Sequence, residues 1–207
     1  MKILGIDEAG RGPLIGPLII AGVLVEESKL KKLSSWSTLD SKKIPRLRRE
    51  EIFLSLKSLI DDLEIVKISP SKIDSHSLNL LEIESTSYII NKLKPHKVYI
   101  DAPTHPRGIF SYHQHLKRKI FSPHVELIIE NKADAKFKIV GLASIIAKVI
   151  RDKYILKLRK EYGDFGWGYP SEVKTKKFLK QYFKKYKEVP SFVRKKWKTV
   201  QKILNEK

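Results

Sequence analysis

The sequence predicts an α/β protein: a mixed sheet flanked by helices, followed by a small helical addition at the C-terminal end. Two observations carry this. Short apolar runs bounded by glycine, proline and acidic residues recur as far as Glu130, and from the third onward they alternate with segments of helical spacing. After a glycine–aromatic break at Gly163–Pro170 the chain turns lysine-rich, with apolar residues at helical intervals.

Lys2–Asp7 and Leu18–Glu26 read as strands, because Gly10, Gly12, Pro13, Gly16 and Pro17 punctuate the stretch between them. Ser41–Ile60 is charged, with Leu47, Ile52 and Leu56 at helical spacing. Leu63–Ser69 alternates as a third strand, and Ser77–Leu93 is helical. KVYID (97–101) makes a fourth strand, stopped by Ala102–Pro103, and Val125–Glu130 a fifth. Ile139–Tyr162 predicts a long helix whose first half is apolar nearly all round, as expected of a helix buried against a sheet. Thr175–Tyr186 and Pro190–Leu204 predict two basic helices. The division expected is 1–165 for the α/β unit and 166–207 for the basic helical region.

Composition narrows the class. A chain of 207 residues with 42% hydrophobic content holds one sizeable core, with room for a small appendage. Lys and Arg number 42 against 23 Asp and Glu, a net charge of +19. From Lys174 to Lys207 there are 13 basic and 2 acidic residues, so that segment holds +11 of the total. Such a balance suits a polyanionic partner, nucleic acid first. Cysteine is absent, which excludes disulfides and zinc–thiolate sites. The N-terminal stretch carries carboxylates where a signal peptide needs an apolar run, and no window approaches the roughly 18 apolar residues of a membrane span. A cytoplasmic protein without membrane contact is expected. His105, His113 and His115 lack a third close ligand, so no zinc site is expected of them.

The chemistry gathers at strand ends, where α/β proteins present their sites. Asp7 and Glu8 close the first strand and Asp101 the fourth. Apolar strands do not finish in unpaired carboxylates without cost. If the two strands are neighbours, their acids converge, repel one another and call for a hard divalent cation, Mg²⁺ or Mn²⁺. On residue types alone, turn-capping acids are an equal reading. Successive strand residues point to opposite faces, so Asp7 and Glu8 are expected to share a site only where the strand ends or bends between them. Asp134, ahead of the long helix, reads on its own as an N-cap. The GRGPLIG turn fails as a nucleotide loop: its spacing is wrong and Pro13 removes an amide donor. Its glycines let backbone approach a bulky ligand, with Arg11 offering a planar fork to phosphate or base; a plain tight turn is the other reading.

GIDEAGRGP (5–13) closely resembles the signature of type 2 ribonuclease H, also called ribonuclease HII. Further blocks follow in that family's order: LDSKK (39–43), VYIDAP (98–103), KADAKF (132–137) leading into ASIIAKVIRDK (143–153), and GWGYPSE (166–172). FVRKKWKTV (192–200) is similar to the archaeal branch. The resemblance implies a ribonuclease H-like fold with a mixed five-stranded sheet. It places the four catalytic, metal-binding acids on Asp7, Glu8, Asp101 and Asp134. It places recognition of a ribose 2′-hydroxyl at an RNA–DNA junction on Gly10, Arg11 and Gly12, with Tyr169 packing at the neighbouring sugar. Family members often carry aspartate where this chain has Glu172.

The activity implied is hydrolysis of the phosphodiester on the 5′ side of a ribonucleotide, leaving a 3′-hydroxyl. The substrates implied are RNA–DNA hybrids and single ribonucleotides in duplex DNA, with Mg²⁺ or Mn²⁺, two ions per site during catalysis. Lys42, Lys43 and the lysine-rich C-terminal segment are expected to meet backbone phosphates. The alternatives are a type 3 ribonuclease H, which lacks the arginine of the turn, a junction resolvase, and a non-catalytic nucleic-acid-binding protein. Gln201 and Leu204 begin the spacing of a sliding-clamp-binding peptide, but no aromatic pair follows, and clamp binding is not predicted. A monomer is expected.

Overall fold

The computed structural model describes residues 1–34 and 44–205. Lys42 and Lys43, and the start of the segment expected to be helical from Ser41, lie outside the described residues. Five strands form one sheet: β1 (Lys2–Ala9), β2 (Leu18–Glu26), β3 (Asp62–Ile68), β4 (Lys97–Asp101) and β5 (Glu126–Glu130), in the order β3-β2-β1-β4-β5. β1 and β2 pair antiparallel, as do β2 and β3, whereas β1–β4 and β4–β5 are parallel. The helices are α1 (Leu30–Ser34), α2 (Arg46–Leu56), α3 (Pro70–Ser75), α4 (Leu78–Leu93), α5 (Ile109–Lys117), α6 (Ala133–Lys136), α7 (Lys138–Tyr162), α8 (Val173–Tyr186) and α9 (Lys198–Asn205).

Strand β2 reads as an uninterrupted apolar run because both faces of the sheet are covered. On one face Ile3, Ile19, Ala21 and Val23 pack against Ile139, Leu142, Ala143 and Ile146 of α7, with α2 completing the layer. On the other, Leu4, Ile6, Ile20 and Ile100 pack against Ile89 and Leu93 of α4 and Leu116 of α5. Each buried aliphatic side chain contributes roughly 1.5–3 kcal/mol by leaving water. The first half of α7 is apolar all round because it lies between the sheet and α2. Gly5 lets it come close: a Cβ there would stand 2.6 Å from the backbone of Ile139.

A third cluster joins Leu14 and Ile15, just after β1, to Ile155 of α7 and to Phe165, Leu179, Phe192, Val193 and Ile203. Here one expectation fails. Pro190–Leu204 is helical only from Lys198. Before that the chain runs as a partner to residues 14–16. The Gly16 N–H donates to the Phe192 carbonyl at 2.8 Å, the Arg194 N–H donates to that of Leu14 at 2.9 Å, and Ile15 and Val193 form an antiparallel bridge. These hydrogen bonds between distant segments replace the helical ones that the apolar spacing suggested. Among the described residues no helix is long and apolar enough to cross a membrane.

Candidate active site

The parallel register sets the site. Ile6 pairs with Ile100, so the next residues, Asp7 and Asp101, stand side by side. Both follow the odd-numbered face covered by α7. Strand β1 does not end or bend between Asp7 and Glu8, contrary to the sequence expectation: it stays paired with β2 through Ala9, opposite Ile19. The two carboxylates therefore do leave opposite faces. They reach one space because the β4 ladder stops at Ile6, leaving Asp7, Glu8 and Ala9 along an open edge. A pocket of about 370 Å³ occupies that notch, lined by Asp7, Glu8, Asp101 and Asp134, by Gly10 and Arg11, by Lys148 and Arg151, and by Tyr169.

Asp7 is 5% exposed, and its Oδ1 accepts from the Glu8 N–H at 2.6 Å. Burial pushes its pKa up to about 7, with Asp101 adding to the rise; a hydrogen bond with Ser144 and the charge of Lys148, both on α7, oppose it. Lys148 Nζ in turn donates to Ser144 Oγ at 2.5 Å. Glu8 is likewise held well above the usual carboxylate range, first by burial, then by Asp7, Glu82 and Asp101, with Arg11 opposing. Asp101 accepts the Ala133 N–H on Oδ1 at 2.8 Å. That bond ties the end of β4 to the start of the short α6. Asp134, in the first turn of α6 and 8% exposed, is buried at the pocket wall rather than displayed as a solvent-facing cap.

The glycine–arginine–glycine turn sits at the same notch. Gly10 has φ +98°, and a Cβ on it would meet Pro17 O at 2.6 Å and the Arg151 side chain at 2.7 Å. The Arg11 side chain is not the free fork expected from sequence. It ion-pairs with the buried Glu82 of α4, and its Nη2 donates to Asn79 Oδ1 at 2.9 Å. Across the pocket, Tyr169 stands 5.3 Å from the Arg151 guanidinium. Its turn is organised by Glu172, whose Oε2 accepts the Trp167 and Tyr169 amides at 2.8 and 3.0 Å and the Thr175 hydroxyl at 3.0 Å. The residue that departs from the family pattern thus shapes the loop that carries Tyr169.

The donor set suits a hard divalent cation: every acidic ligand offers oxygen, and the elevated carboxylate pKa values are what a dication would reverse. Among the described residues, no three acidic or histidine side chains are already gathered into a metal-holding cluster. Asp7, Glu8 and Asp101 repel one another and have no reason to draw closer until a cation joins them. The histidines stay out of the site. His115 Nδ1 bonds to the Ser111 carbonyl at 2.7 Å, and His105 caps a short 3₁₀ turn.

Sequence reasoning missed several contributors. Lys148 and Arg151 sat inside a quoted block without a role, Glu82 sat in an ordinary helix, and Arg194 sat in a lysine-rich run. None has a type or spacing that separates it from a surface charge; the burial of Glu82, Arg151 and Arg194 does, and for Lys148 its place on α7 beside Ser144.

A mixed sheet in this order, with paired acids at the ends of its two central parallel strands, defines a ribonuclease H-like protein. Similarity to known proteins narrows this. The Ribonuclease HII family model matches residues 4–200, and the chain belongs to that family. Ribonuclease HII of Pyrococcus furiosus is 46% identical over 207 residues, covering 98% of this chain and 91% of the relative. That of Thermococcus sibiricus is 44% identical with the same coverage. The crystal structure of ribonuclease H2 from Pyrococcus horikoshii superposes with a TM-score of 0.90 at 41% identity, covering 99% of this chain and 97% of that one. The Archaeoglobus fulgidus RNase HII, solved in a complex with PCNA, gives 0.84 at 37% identity, with 99% and 97% covered. A type 3 enzyme, Bst-RNase HIII in complex with Mn²⁺, shares the fold at TM-score 0.81 and 17% identity, covering 99% of this chain and 69% of that one. The protein is therefore a ribonuclease H of the second type, a nuclease of archaeal kind.

Proposed function

We propose that this ribonuclease cleaves the phosphodiester on the 5′ side of a ribonucleotide, in RNA–DNA hybrids and at single ribonucleotides in duplex DNA, and leaves a 3′-hydroxyl. One observation carries the reading: Asp7, Glu8, Asp101 and Asp134 line the same pocket as Gly10 and Arg11 of the glycine–arginine–glycine turn and Tyr169. Chemistry and recognition of the sugar thereby meet within one nucleotide's reach. The four acids would hold divalent ions, Mg²⁺ or Mn²⁺ and two per site. When bound, such ions supply a water nucleophile at neutral pH and stabilise the leaving oxygen.

The protein's own groups do the rest. Asp7 and Asp101, adjacent by register, form the floor against which the scissile phosphate rests. The turn approaches the sugar through backbone, since a 2′-hydroxyl is the group that separates RNA from DNA at one position. Lys148 and Arg151 place positive charge on the phosphate's side of the pocket. Tyr169, 37% exposed, offers a flat face to the adjoining sugar. The PCNA complex of the Archaeoglobus relative concerns that protein.

The test is a substrate panel of duplex DNA with one ribonucleotide, an RNA–DNA hybrid and a four-way DNA junction, assayed with Mg²⁺ and with Mn²⁺. Cleavage of the first two and not the third is expected. Asp7→Asn should lower cleavage by at least about 10³-fold while duplex affinity stays within a few-fold; full activity in that variant overturns the assignment.

A further inference from the structure

Arg194 is 0% exposed, and among the described residues it makes no salt bridge. Its guanidinium is spent on backbone. Nη1 donates to the Arg11 carbonyl at 2.9 Å, Nη2 to the Gly10 carbonyl and to that of Gly16 at 3.1 Å, and Nε to Gly16 again at 3.2 Å. Burying a cation with no directly bonded counter-ion costs several kcal/mol, only partly offset here by the charge of Asp74. Burial holds its pKa down, to about 9, with the charge of Arg151 adding to the effect. A neutral side chain would be cheaper there, but no other side chain carries five donors in a planar fork able to bind three carbonyls at once.

Those carbonyls belong to the recognition turn and its exit. In a planar trans peptide the C=O of one residue and the N–H of the next point in opposite directions, and there is no cis bond among the described residues. Fixing the Gly10 and Arg11 carbonyls on Arg194 therefore turns the Arg11 and Gly12 N–H groups away from it, toward the exposed side of the turn. Neither N–H finds a backbone acceptor among the described residues. The Arg11 side chain is already engaged by Glu82 and Asn79. Two adjacent, outward-facing amides are what the turn has left to offer a ligand.

We propose that Arg194 is a positioning residue for ribose recognition. Its guanidinium fixes two consecutive peptide planes so that the amides of the turn, not the Arg11 side chain, meet the 2′-hydroxyl. The inference rests on the reading of the turn given above. The experiment compares kcat/KM on duplex DNA with a single ribonucleotide and on a uniform RNA–DNA hybrid, where successive ribonucleotides give the enzyme many registers. Arg194→Gln should lower the ratio of the first to the second at least tenfold, Arg194→Lys by less. Millimolar ethylguanidinium added to Arg194→Ala should restore part of the ratio, a rescue that a purely structural role does not give.

Equal losses on both substrates, with the ratio at the wild-type value, overturn the inference. Should Arg194→Gln not fold at the assay temperature, Arg194→Lys decides by the same ratio. Wild-type protein that leaves the single ribonucleotide uncut overturns the reading of the turn itself. Wild-type protein that cuts it, while both variants keep the ratio, removes Arg194 alone.

Discussion

Asp7 shows what a single buried carboxylate costs a fold. Its pKa of about 7 in the fold, against 3.8 when unperturbed, means that the folded state holds a proton the unfolded chain has released. Stability of the metal-free protein through this group is therefore highest below about pH 4, falls as pH rises, and levels off above about pH 7. At 1.36 kcal/mol per unit, the loss is roughly 4 kcal/mol at most. Asp7→Asn should accordingly raise the metal-free melting temperature at pH 8 and leave it unchanged at pH 3.5. Mn²⁺ at pH 8 should stabilise the wild type far more than the variant. Calorimetry at the two pH values checks both statements, and a variant less stable than wild type at pH 8 would contradict them.

Among the elements, α7 decides whether Asp7 has its partners. Gly5 gives it close approach to β1, and Ser144 and Lys148 hang from it over the carboxylate. Gly5→Ala should push the helix outward, cost on the order of 2–4 kcal/mol in urea unfolding, and lower cleavage beyond what the folded fraction explains. A variant within about 0.5 kcal/mol of wild type, the range of an ordinary surface substitution, would show that the approach is not tight. The strands and this helix were legible in sequence because hydrophobic runs and helical spacing report directly on burial. Asp7, Asp101 and Asp134 were legible too, but as types in a familiar order. What could not be read is where strands meet: register brings Asp7 beside Asp101, and an unpaired edge lets Glu8 join them. The stretch before Lys198 misled for the converse reason. Its spacing was helical, while its hydrogen bonds went to residues far earlier in the chain.

Across the whole molecule, charge and connectivity are unevenly spread. The segment from Lys174 onward carries more than half of the net charge, and Lys176, Lys177 and Lys184 of α8 point away from the core. If these lysines meet phosphates, replacing all three with glutamine should flatten the slope of log affinity against log salt. The expected change is about 0.9 for each lysine that neutralises a phosphate, or about 2.7 for the three together. Filter binding between 50 and 300 mM salt, roughly the range over which such slopes are read, checks this, and an unchanged slope assigns those lysines to solubility. Connectivity has its own consequence. The guanidinium beneath the turn lies 183 residues along the chain from Arg11, so the contact closes a very long loop, whose entropy cost the contact must offset. On the ribosome, the acids of β1 emerge long before the guanidinium at position 194. If Arg194 aims the turn as proposed, a chain broken off ahead of it carries the acids of β1 without the group that orients the amides beside them.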